Sequence, residues 1–251
     1  MRKISIILFL FFLVITNLVA DPQADISKAN KAYQAGFYEN AAALYEKVVN
    51  EGYTSAALYY NLGNAYYKAN KVPLAILFYE RALKYDPTNE DLIYNLKVAN
   101  NQIIDKIDQL PQLFYVRWWE SLKQTFSPDG WAILVIILFA SFFITISLFL
   151  LSTSIKVRKI LLPVSLSLLF FTGLVFIITS EVYSKSTNQT NAIVFAPSLP
   201  VKSSPEDSGI DLFVIHEGLK VQIIDELSGW KEIKIANGSK GWVKSETIVP
   251  V

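Results

Sequence analysis

The sequence predicts a multi-domain protein: an α-helical repeat solenoid, a two-helix transmembrane hairpin and a small all-β barrel, in that order. Three observations carry this. Two stretches superpose when the 251-residue chain is shifted by 34 positions, two charge-free apolar runs of 21 residues follow, and residues 192–251 alternate short apolar segments with tight-turn pairs.

The shift of 34 places Ala29 on Gly63, Tyr33 on Tyr67, Ala41 on Ala75 and Tyr45 on Tyr79. The second copy reads Tyr59-x2-Leu62-Gly63-x2-Tyr66, Ala75-x3-Tyr79, Ala82 and Pro87, which is tetratricopeptide (TPR) spacing with Tyr for the usual Trp. Each unit is a helical hairpin whose small residues let its helices approach, and Gly36 supplies the turn of the first. Apolar residues continue at helical spacing from Leu92 to Ile107, an incomplete third unit that caps the stack. Stacked hairpins form a concave face built from their first helices. In register, that face carries Ile26, Asn30 and Tyr33, then Tyr60, Asn64 and Tyr67, then Tyr94 and Val98. Asn could bond the backbone of an extended peptide, and Tyr offers contact area at low entropic cost. The same surface could also be solvated without a dedicated ligand. TPR grooves that clamp a terminal carboxylate carry Lys at the positions of Ile26 and Tyr60, so no such ligand is expected.

Arg2-Lys3, an apolar stretch from Ile4 to Ile15 and the small Ala20 before Asp21-Pro22 describe a secretory signal peptide, residues 1–20. The runs Trp131–Leu151 and Ile160–Ser180 are each long enough to span a hydrocarbon core, about 31 Å at 1.5 Å per residue. Ser127-Pro128-Asp129 supplies a cap, a first-position Pro and an acidic first turn, and Pro163 is expected in the first turn of the second span. Lys156, Arg158 and Lys159 between the runs predict a cytoplasmic loop at 152–159, with both soluble parts outside. Before the first span, Tyr115, Trp118, Trp119, Leu122 and Phe126 share one helical face. Such a face suits the headgroup layer, or else packs on the last repeat helix.

In the C-terminal part, strands are expected at 192–195, 212–215, 220–224, 230–235 and 241–243, with turns at Glu217-Gly218 and Asn237-Gly238. Trp230 and Trp242 either line a groove between loops or fill a core that is small for its surface. His216, the only His, has no paired Ser or Asp constellation and reads as a surface or structural residue.

With 23 basic and 22 acidic residues, the net charge of +1 offers no footprint for nucleic acid. The absence of Cys removes thiol nucleophiles, disulfides and Cys/His zinc sites. No catalytic residue, metal site or cofactor is expected.

The order Leu199-Pro-Val201-Lys-Ser203, His216-Glu-Gly218-x2-Val221, Gly229-Trp230 and Gly238-x2-Gly241-Trp242-Val243 resembles the bacterial SH3 (SH3b) domain. Lys202 stands where the customary Arg follows Val, and the preceding Asn is missing. The whole arrangement resembles the E-type protein of the Bacteroides aerotolerance (Bat) operon family: signal peptide, TPR pair ending Tyr85-Asp86-Pro87-Thr88-Asn89, Ser-Pro-Asp-Gly-Trp at 127–131, membrane hairpin, then an SH3-like barrel. That resemblance implies an inner-membrane, periplasm-facing, non-catalytic scaffold of an envelope complex. Its partners would be proteins, including von Willebrand-type membrane proteins, together with the lipid bilayer and peptidoglycan. The expected division is a signal peptide (1–20), TPR domain (21–109), amphipathic interfacial segment (110–127), first span (128–151), cytoplasmic loop (152–159), second span (160–180), linker (181–191) and SH3b domain (192–251). The expected partner-binding residues are Asn30, Tyr33, Tyr60, Asn64, Tyr67 and Tyr94 in the TPR groove, and Trp230 and Trp242 in the SH3b groove. The alternative is a protein that senses or processes the cell wall.

Overall fold

A computed structural model describes residues 22–107, 110–111, 113–187 and 190–251. The expected signal peptide lies outside the described residues. The chain divides into two compact units, one ending at Thr54 and the other Ser55–Val251.

The first unit is a helical hairpin, α1 (Pro22–Gln34) and α2 (Tyr38–Asn50). The second opens with α3 (Ala56–Lys68), α4 (Val72–Tyr85) and α5 (Glu90–Asn100). First helices thus start at 22, 56 and 90 and second helices at 38 and 72, so the sequence period is reproduced in the element starts. The period extends to the ends. Ser55 Oγ accepts from Leu58 N–H and, 34 residues later, Asn89 Oδ1 accepts from Leu92 N–H, both at 3.1 Å. Gly36 (φ +83°) and Asn70 (φ +61°) close equivalent helix ends in the left-handed conformation. Their N–H groups reach Tyr33 O at 3.0 Å and Tyr67 O at 3.1 Å. The small residues sit where two helices touch: Ala41 and Ala75 are fully buried, and a Cβ on Gly63 would meet Tyr79 Cδ1 and Cε1 at 2.7 Å.

One expectation fails here. The third helix stops at Asn100 instead of running to Ile107. Its apolar spacing beyond that point serves another purpose, because Ile103 and Ile107 pack against the core of the C-terminal sheet.

After α6 (Phe114–Lys123) come two helices long and apolar enough to cross a membrane, α7 (Pro128–Leu151) and α8 (Ile155–Thr187), with mean hydropathies of 2.9 and 2.5 over their spanning stretches. Ser127 caps α7 by accepting from Gly130 N–H at 3.2 Å. The expected 152–159 loop is shorter, because α8 already begins at Ile155 and takes Lys156, Arg158 and Lys159 into its first turns. Pro163 consequently lies inside the helix, not in its first turn. Residues 181–187, expected in a linker, continue α8.

The C-terminal region is a seven-stranded antiparallel sheet: β1 (Asn191–Val194), β2 (Leu199–Lys202), β3 (Asp211–Ile215), β4 (Lys220–Leu227), β5 (Trp230–Lys234), β6 (Lys240–Lys244) and β7 (Ile248–Pro250). Its order is β3-β2-β6-β5-β4-β1-β7, an open ladder whose end strands β3 and β7 do not pair with each other. Ser228 (φ +49°) and Gly229 (φ +85°) make the two-residue turn between β4 and β5, the double positive-φ turn that suits a twisted hairpin. The inner face buries Val201, Ile215, Val221, Ile233 and Val243.

Within the second unit the sheet rests on α4 and on the segment after α5. Lys220 pairs with Glu80 at 2.6 Å, Arg81 Nη2 donates to Pro250 O at 2.9 Å and Lys84 Nζ to Val251 O at 2.8 Å. Asp105 accepts from His216 N–H at 2.6 Å and meets His216 Nδ1 at 2.9 Å. Gly218 (φ +86°) lies so close to Ile103 that a Cβ would stand 2.5 Å from Cγ2.

Candidate protein-interaction site

The inward positions of α3 are tied to their neighbours by a chain of side-chain hydrogen bonds. Asn64 Oδ1 accepts from the Tyr79 hydroxyl at 2.7 Å and from Asn95 Nδ2 at 3.0 Å. Asn95 Nδ2 also reaches the Tyr60 hydroxyl at 3.0 Å, and Gln102 Nε2 donates to the Tyr67 hydroxyl at 2.6 Å. In the first unit Asn30 Oδ1 accepts from the Tyr45 hydroxyl in the same way. A buried phenol needs a partner, and an Asn fifteen residues earlier on the facing helix provides it. The oxygens of Asn30 and Asn64 are therefore engaged inside their hairpins, and the pattern that suggested ligand contacts has a structural cause.

Tyr33 stacks edge-to-face on Tyr38, with ring centroids 5.3 Å apart. Tyr94, at 66% exposure, and Asn30 are exposed, whereas Tyr33, Tyr60, Asn64 and Tyr67 are half-buried. The surface is thus a preorganised polar lattice over α3 and α5 with Tyr94 projecting from it. Asn95 has Asn61 one repeat earlier and Gln102 has Gln34 two repeats earlier, but the inward register taken from Tyr60, Asn64 and Tyr67 does not include these positions, so sequence reading passed over them.

Trp230 and Trp242 do not fill the core. The register pairs Trp230 with Lys244 and Glu232 with Trp242, which puts both indoles on the face opposite Ile233 and Val243. Both rings are half-buried, and Lys244 Nζ lies 5.6 Å from the Trp230 centroid. Lys244 also pairs with Asp207 at 2.8 Å, bringing the 203–210 loop to the same face.

A cavity of about 440 Å³ opens where α4, α6, α8 and the sheet converge, lined among others by Glu80, Lys84, Glu120, Lys123 and Lys220. Its cations are already matched. Besides the Lys220–Glu80 pair, Lys123 binds Glu120 at 2.7 Å and Glu181 at 2.8 Å. Burial pushes the Lys84 ammonium below its ordinary range. Such a junction holds elements together and has no orphaned charge calling for a ligand. Among the described residues no cluster of three His, Cys, Asp or Glu side chains is placed to hold a metal ion.

Compared with known families, residues 56–89 match the tetratricopeptide repeat, so the chain carries a TPR unit there. The match coincides with α3 and α4 and ends at the Asn89 cap of α5. Compared with curated proteins, the chain has no match. TPR units are interaction modules that bind protein partners and typically have no catalytic role.

Proposed function

We propose that this protein is a membrane-anchored, non-catalytic scaffold whose TPR surface holds a protein partner outside the cytoplasm. The carrying observation is the 34-residue hairpin itself, matched at residues 56–89. Two membrane-length helices support the anchor. Lys156, Arg158 and Lys159 at the α7–α8 turn, with no acidic residue beside them, support a cytoplasmic turn and external soluble parts.

The C-terminal sheet, with two indoles and Lys244 on one outer face, fits an SH3b-like module that takes an extended peptide from a cell-wall component or a protein. The arrangement of parts favours an envelope complex of the Bat E type.

The test is site-specific photo-crosslinking in native membranes. A photoreactive residue at Tyr94 of the full chain should give discrete adducts with a membrane or envelope protein, whereas the same probe at Tyr85, on α4, should not. Equal labelling at both positions, or none at Tyr94, would refute the groove assignment.

A further inference from the structure

α6 leaves its apolar side uncovered. Tyr115, Trp118, Trp119 and Leu122 share one face, whereas Phe126, expected on it, lies beyond the end of the helix. Tyr115 is 55% exposed and Trp118 66% exposed. Arg117 and Glu120 occupy the other side, and Glu120 takes part in the Lys123 ion-pair cluster. A soluble helix does not normally hold large rings in water on one side while spending its polar groups on protein contacts.

The position of this helix is fixed from both membrane-length helices. Trp131, in the first turn of α7, is 4% exposed and donates through Nε1 to Lys123 O at 3.0 Å. Its ring meets Phe126 edge-on, with centroids 5.2 Å apart. Independently, Lys123 Nζ binds Glu181 of α8 at 2.8 Å, near the point where that helix loses its apolar character. The C-terminal end of α6 is thus pinned at the level where α7 begins and α8 ceases to be apolar. In a bilayer that level is the headgroup layer, where Trp and Tyr are favoured because their bodies are apolar and their N–H and O–H groups remain wet.

We infer that α6 lies in the phospholipid headgroup layer with Tyr115 and Trp118 facing the acyl boundary, and that the Trp131–Lys123–Glu181 junction sets its height. This rests on the proposed membrane anchoring. Its occupant is lipid and not a second protein, because the face is continuous with helices of lipid-spanning length and is tied to both.

The chain has no Cys, so single labelling sites need no background substitutions. Spin labels at W118C, R117C and I136C, one per sample, would be read in full-length protein in phosphatidylcholine–phosphatidylglycerol nanodiscs. Collision with oxygen and with a water-soluble nickel chelate gives the readout. The expectation is oxygen-dominated relaxation at 136 and 118 and nickel-dominated relaxation at 117. A nickel-dominated label at 118 beside an oxygen-dominated one at 136 would overturn the placement of α6 alone. A nickel-dominated label at 136 would overturn the anchoring itself, and α6's placement with it. A label at 118 reached by neither reagent would show protein covering the face and would also refute the inference.

Discussion

The Tyr79 hydroxyl donates to Asn64 Oδ1 at 2.7 Å, and the Tyr45 hydroxyl makes the same bond to Asn30 one repeat earlier. Each bond joins the first helix of a hairpin to the second. The pair explains why Asn and Tyr recur at 34 residues without invoking a ligand.

Tyr79→Phe keeps the ring and removes the bond, so the full chain should lose about 0.5–1.5 kcal/mol of stability. Asn64→Ala should cost more, because it also removes one of the two bonds made by the Asn95 amide, the other being to the Tyr60 hydroxyl. A double-mutant cycle read by thermal unfolding should show clear non-additivity. Additive effects would mean that the bond contributes nothing.

Gly63→Ala puts a methyl group into the buried Tyr79 ring, which is 1% exposed and cannot swing away. Overpacking of this kind costs about 1–3 kcal/mol. The variant should unfold at a lower temperature, whereas Gly52→Ala meets no atom within 4 Å and should suffer only from its positive φ.

Asp25 in α1 accepts from Lys28 at 2.8 Å and from Lys47 at 2.6 Å, and these bonds lower its pKa from 3.8 to about 2. A depressed carboxyl stabilises the fold above its unfolded value and loses that contribution as pH falls through the folded one. The first hairpin should therefore weaken between about pH 4 and pH 2. Asp25→Asn should lower the melting temperature at pH 7, and the difference should shrink as pH falls through about 2, a comparison that circular dichroism can make.

Asp105 is the link that the helical pattern hid. Asp105→Ala removes both bonds to His216, and hydrogen bonds to a charged group contribute about 1.5–3 kcal/mol. Amide exchange should accelerate around residues 101–107 and at His216, while α3 and α4 stay protected. Uniform protection throughout would show that Ile103 and Ile107 hold the contact alone.

The repeats were legible because close helix packing demands small residues at fixed spacing, and Ala41, Gly63 and Ala75 satisfy that demand locally. The lengths of α7 and α8 were legible for a similar reason, since charge is excluded along them. What depends on distant partners was not. Ile103 and Ile107 fit a helix by spacing, yet they serve a sheet that begins nearly ninety residues later. β2 carries a Pro and β7 is three residues long, so neither alternates long enough to declare itself as a strand. For the indoles the sequence left groove and core open, because a large ring suits either; the register with Ile233 and Val243 puts them on the face opposite the core.

α8 runs for 33 residues against 24 in α7, and Ile223 N–H bonds Thr190 O at 2.8 Å just past its end. If both helices cross a bilayer, the joint between lipid and sheet is mostly a rod and not a tether. A load taken up by the Trp230–Trp242 face would then reach the spanning segment through the helical turns at 181–187. Two glycines inserted after Ser184 would uncouple the two, which distance measurements between labels on the sheet and on α8 can detect.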